Sequence, residues 1–113
     1  TRDFCYVTDL VNGTILAAEY QGESAEIFNI SGGRPTSILE LAEKINDLTG
    51  NRDGIAIEGR RTWDHVVHRQ PSTCKAEDYL GYSPKTSLDV GLKNTLAWMI
   101  TQMDEIPEQM DHA

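Results

Sequence analysis

Ser37 stands three residues before Glu40, and behind them apolar residues recur at Ile38, Leu41, Ala42, Ile45 and Leu48 until Gly50. This stretch limits the fold more tightly than any other. A serine hydroxyl at the cap takes an orphan backbone N–H, and a glutamate three positions on reaches back toward the cap. The apolar positions fall on one face of a 3.6-residue period, and a glycine past the last turn stops the run. A helix with such a stripe must lie against a second layer.

Candidates for that layer lie on both sides. Ser87 caps a last helix whose apolar face runs Leu88, Leu92, Leu96 and Met99, with Trp98 beside it; Trp98, Met99 and Met103 read as core. Thr73 opens a short helix to Leu80, closed by the turn Gly81-Tyr82-Ser83-Pro84. Near the start, Thr8 or Asp9 caps a helix with Leu10, Val11, Ile15 and Ala18 on one side. Gly13 weakens that helix and Gly22 ends the run. Between the helices, residues 4–8, 26–30 and 55–58 are β-branched or aromatic enough to predict short strands. The expected fold is α/β: a small partial domain of three or four short strands and about four helices. Residues 1–103 form one unit, and 104–113 form an acidic tail expected to fray.

Composition matters mainly for what it excludes. A net charge of −8 over 113 residues argues against nucleic acid or an anionic membrane as a general partner. No apolar run is long enough to span a bilayer and no leader is visible. Cys5 and Cys74 sit in unlike contexts and read as reduced thiols. His65 and His68 flank Val66-Val67, so an extended backbone sends the two rings to opposite faces and no metal centre is expected. Ser31-Gly32-Gly33 precedes a helix without completing a dinucleotide or Walker pattern, and reads as a turn. Tyr6 reads as half-buried packing and Asp9 as a helix cap.

The chemistry-bearing residues are arginines. Arg2 sits beside Asp3 and Phe4, and Arg61 beside Trp63 and Asp64, in an otherwise acidic chain. A planar guanidinium fork suits phosphate oxygens, and two forks can hold a diphosphate; surface salt bridges are the competing reading. Residues 60–72 show no period, as functional loops commonly do not.

The order of the pieces favours the clamp. Arg2-Asp3-Phe4-Cys5-Tyr6-Val7-Thr8-Asp9-Leu10-Val11 resembles a segment of the extended short-chain dehydrogenase/reductases, the nucleotide-sugar epimerases and dehydratases. Ile27-Phe28-Asn29-Ile30-Ser31-Gly32-Gly33 and Ser37-Ile38-Leu39-Glu40-Leu41-Ala42 look like the strand, turn and helix that follow there. Arg61-Thr62-Trp63-Asp64 stands where many members have Arg-Pro-Gly-Asp. Lys75-Ala76, Leu80-Gly81-Tyr82-Ser83-Pro84, and Gly91-Leu92 with Thr95 and Trp98 look like the closing helices. The resemblance covers residues 1 to about 100, in order.

The resemblance implies roles. Arg2 and Arg61 match the arginines that hold the nucleotide sugar's diphosphate, and Asp64 matches the ribose ligand. Trp63, where the family has glycine, is placed to pack on a base or sugar. The family's Gly-rich NAD(P) turn and its Tyr-x-x-x-Lys pair are not in this sequence. The implied chain is the C-terminal, substrate-binding portion of the enzyme, not catalytic alone. It binds no cofactor itself, although the intact enzyme uses NAD or NADP. Its implied partners are a nucleoside-diphosphate sugar and the N-terminal Rossmann portion. A sequence that starts Thr1-Arg2-Asp3, without Met, reads as one that follows a cut, with Arg2 near a fraying end. The matched strand at 26–30 joins a sheet edge in the family. Left alone, that edge predicts a homo-oligomer. The alternative is a truncated stand-alone remnant, a self-associating or protein-interaction module without ligand. The expected compartment is the cytoplasm, where the family's substrates are made.

Overall fold

Four helices and a two-stranded sheet make up the described residues. The computed structural model describes residues 1–59, 62, 63 and 65–103. In chain order the elements are β1 (Arg2–Asp3), α1 (Val7–Glu19), β2 (Pro35–Thr36), α2 (Ile38–Thr49), α3 (Cys74–Leu80) and α4 (Leu88–Gln102). Helix α1 packs on α3 and α2 on α4, while β1 pairs antiparallel with β2, Arg2 opposite Thr36 and Asp3 opposite Pro35. The expected tail, 104–113, lies outside the described residues.

Helix α2 follows its sequence signals. The Ser37 hydroxyl accepts the Glu40 N–H at 2.9 Å, and Gly50 ends the helix in the left-handed region at φ 70°. The Glu40 carboxylate takes the Arg34 guanidinium at 3.1 Å, so the serine half of the capping box is the half that shows. Ser87 caps α4 by accepting the Val90 N–H at 3.4 Å. Gly81 closes α3 at φ 64°.

Three expectations need correction. The first is the strand over 4–8: the ladder stops at Asp3, and Val7 already belongs to α1. The helix cap is Tyr6, without a side-chain bond, not Thr8 or Asp9. Asp9 is buried inside the first turn and accepts the Thr86 backbone N–H at 2.9 Å, tying α1 to the approach to α4. The second is the number of strands. Residues 26–30 and 55–58 have no ladder among the described residues, and β1 and β2 form the one sheet there. The third concerns α4, whose distal half faces water: Trp98 is 62% exposed, and Met99 and Met103 are exposed too.

Segment 26–30 is held by side chains instead of a ladder. Phe28 meets the Tyr20 ring edge-on at 5.3 Å and tilts against Tyr79 at 6.4 Å. Lys75 reaches Glu26 at 2.5 Å. Ile30 closes on Gly13, where an added Cβ would come within 2.8 Å of its side chain. The even-numbered residues thus face α1 and α3, while Ile27 is 85% exposed. The period-2 pattern of a strand is present and its hydrogen-bonding partner lies outside these contacts. The hydrophobic interior is correspondingly thin. Among the described apolar residues only Ala76 and Tyr82 are fully enclosed.

Candidate functional site

Strand β1 sits between two neighbours. On one side is β2; on the other, Arg2 forms a parallel bridge with Arg69, whose N–H donates to the Thr1 carbonyl at 3.2 Å. The Arg2 guanidinium donates to the Thr1 carbonyl at 2.9 Å and across the chain to the Val66 carbonyl at 3.1 Å. The Thr1 hydroxyl lies 3.0 Å from His68 Nδ1. Arg2 is therefore half-buried and paired, not frayed as its place near the start suggested. Residues 66–69 are docked along β1, which the sequence did not reveal.

That docking brings Arg2 to the same segment as Trp63, whose ring is 70% exposed. Arg61 and Asp64, the better-matched half of the clamp, lie outside the described residues. Among the described residues no group of three His, Cys, Asp or Glu side chains could hold a metal ion.

Behind β1 runs a chain of buried polar contacts that sequence reading missed. Ser31 Oγ donates to Asp3 Oδ2 at 3.1 Å, and the Ser31 carbonyl accepts the Tyr82 hydroxyl at 2.8 Å. The Cys5 thiol lies 3.7 Å from the same hydroxyl. Burial pushes both the Tyr82 phenol and the Cys5 thiol above their ordinary ranges, so both stay protonated at neutral pH. Asp3 Oδ1 is buried with no hydrogen-bond partner among the described residues. The available signal was weak: a serine opening a glycine turn and a tyrosine after a capping glycine read only as turns. The glycine turn is explained by close approach, since a Cβ on Gly32 would sit 2.0 Å from the Phe4 carbonyl oxygen. The turn is packed against the chain's own backbone.

Elsewhere, hydrogen bonding to Lys75 lowers the Glu26 carboxyl, and hydrogen bonding to Lys44 lowers that of Asp89. Both pairs are exposed. A cavity of about 220 Å³ opens between residues 4–6, α2 and α4, lined by Leu41, Ile45, Leu88 and Leu92. Its apolar lining has no convergent charges to suit a phosphate.

No family model matches the chain. Individual relatives do. UDP-glucuronic acid decarboxylase 3 of Arabidopsis thaliana is 36% identical over 92 residues, 81% of this chain and 26% of the relative. The Bordetella bronchiseptica enzyme WbmF, solved with NAD+ and UDP, is 38% identical with a TM-score of 0.78, over 92% of this chain and 31% of that one. The epimerase Mth375 of Methanothermobacter thermautotrophicus is 31% identical with a TM-score of 0.88, again over 92% and 31%. The chain belongs to the extended short-chain dehydrogenase/reductase family, as the counterpart of its C-terminal portion. It spans about a third of the length of the curated relatives it matches. No helix among the described residues is long and apolar enough to cross a membrane.

Proposed function

We propose that this chain is the nucleotide-diphosphate-sugar-binding C-terminal portion of an NAD(P)-dependent sugar epimerase/dehydratase, and is not catalytic on its own. In this reading Arg2 and Arg61 neutralise the diphosphate, Asp64 accepts a ribose hydroxyl, and Trp63 packs on the base or sugar. The observation that carries the reading is the Arg2 to Val66 hydrogen bond at 3.1 Å, which ties β1 to the segment bearing Trp63. A negative protein needs such a local positive site to attract a diphosphate. Hydride transfer to NAD(P) belongs to the Rossmann portion of the intact enzyme, as do the proton-handling Tyr and Lys. In this reading the cofactor is held by the Rossmann portion and not by the glycine turn at 31–33, which packs on the Phe4 carbonyl.

Calorimetric titration of the chain with UDP and with UDP-glucose tests this. The expected result is binding that weakens tenfold or more in Arg61→Ala, with a smaller loss in Arg2→Ala. No heat and no shift in melting temperature at millimolar UDP would overturn it. A second reading has its own support. Ile27 and the outward face of α1 expose apolar side chains, which favours a self-associating module without ligand. Sedimentation showing a monomer at tens of micromolar excludes that alternative.

A further inference from the structure

The positive charge of a phosphate site comes from its arginines, yet what aims Arg2 lies behind it. Strand β1 is two residues long, so its pairing alone defines Arg2 weakly. Its other residue, Asp3, is held by Ser31 Oγ at 3.1 Å. Ser31 is 3% exposed and is fixed in turn by the Tyr82 hydroxyl at 2.8 Å. Tyr82 is itself anchored: its ring is 1% exposed, and its N–H donates to the Ala76 carbonyl at 3.2 Å in the turn that closes α3. A continuous path therefore runs from the end of α3, through Tyr82, Ser31 and Asp3, to the residue adjoining Arg2. We infer that Tyr82 is a positioning residue for the diphosphate clamp, acting through Ser31 and Asp3 on Arg2; this rests on the nucleotide-sugar reading for its ligand.

The chemistry of each link supports the direction of the effect. A phenol held protonated by burial donates at every working pH, so the Ser31 carbonyl always has its partner. The Ser31 bond to a carboxylate is charge-assisted and short-ranged, and so sensitive to small shifts of the turn. Gly32 has little room toward β1, because a Cβ there would come within 2.0 Å of the Phe4 carbonyl oxygen. Moving Ser31 therefore moves β1.

Two measurements on Tyr82→Phe test this, and they fail separately from the ligand reading. The first is amide hydrogen exchange without ligand. The Arg69 N–H, bonded to the Thr1 carbonyl, is expected to exchange at least tenfold faster. The Gly91 N–H, bonded to the Ser87 carbonyl in α4, is expected to change less than twofold. Equal acceleration of both amides, or of neither, would overturn the inference whether or not UDP binds. The second is a double-mutant cycle read by UDP titration. Tyr82→Phe is expected to weaken UDP about fivefold in the natural background and not at all beside Arg2→Ala. Additive losses would mean that Tyr82 does not act through Arg2. Ser31→Thr, which keeps the hydroxyl, is expected to stay within twofold of the natural chain, while Ser31→Ala follows Tyr82→Phe. If the natural chain binds no UDP, the ligand reading falls, and the exchange measurement still decides the positioning role.

Discussion

Helices α1 and α2 carry the same kind of apolar stripe and turn it to opposite sides. In α2, Leu41, Ala42 and Leu48 are half-buried toward α4, as the cap and the 3.6-residue period led one to expect, while Ile38 and Ile45 of the same stripe are 58% and 40% exposed. In α1 the buried residues are Asp9 and Gly13, while Leu10, Val11 and Ile15 are 46%, 51% and 50% exposed. Periodicity reports which face of a helix is apolar. It does not report whether the surface that covers that face lies in the same chain. Helix α2 finds a partner for part of its stripe, in α4, within these residues. The stripe of α1 matches nothing within them, as befits a chain that spans a third of its relatives' length.

The first way to break this comparison is to remove what α1 does bury. Asp9→Ala leaves the Thr86 N–H without its acceptor in a buried place. The expected cost is about 2 kcal/mol, read by urea denaturation. A loss within experimental error would mean that Asp9 is a surface cap after all. Gly13→Ala is expected to cost about 1 kcal/mol, where helix propensity alone would predict a gain of similar size. The added Cβ would meet Ile30 at 2.8 Å, so Ile30 must shift. A rise in stability would show that segment 26–30 is loosely held. Ser37→Ala is expected to cost about 1 kcal/mol by uncovering the Glu40 N–H. Helix α1 has no equivalent, since Tyr6 caps it with no side-chain bond.

These differences also mark how far the sequence could be read. The ends of α2, α3 and α4 were legible because caps and stops are local: Ser37, Gly50, Gly81 and Ser87 act on backbone groups within one turn. The Phe4-to-Thr8 strand was misread because β-branched and aromatic content does not distinguish a helix N-terminus from a strand without a cap residue to mark it. Residues 26–30 were read correctly as extended and wrongly as a ladder, because a strand's partner is a long-range fact. Trp98, Met99 and Met103 were placed in the core because a helical stripe was taken to find its cover within the chain. At the site, Arg2 and Trp63 could be nominated from residue type and order. That Arg2 is fastened to Val66, and backed by Asp3, Ser31 and Tyr82, rests on contacts between residues up to 64 positions apart. No spacing rule reaches so far.

The smallest expected effect separates the two helices most sharply. Leu10→Ser removes an aliphatic side chain from the outward stripe of α1, where it is already 46% exposed. Burial of that side chain contributes little within this chain, so unfolding stability is expected to change by no more than about 0.5 kcal/mol. Leu48→Ser, on the inward side of α2, is expected to cost about 2 kcal/mol, because a half-buried leucine against α4 loses its cover and a hydroxyl takes its place. If the two substitutions cost the same, the stripe of α1 is covered in solution by a second copy of the chain. Sedimentation then shows the natural chain associating and the Leu10→Ser chain dissociating. Unequal costs with a monomeric natural chain leave the α1 stripe as surface that this chain does not cover for itself.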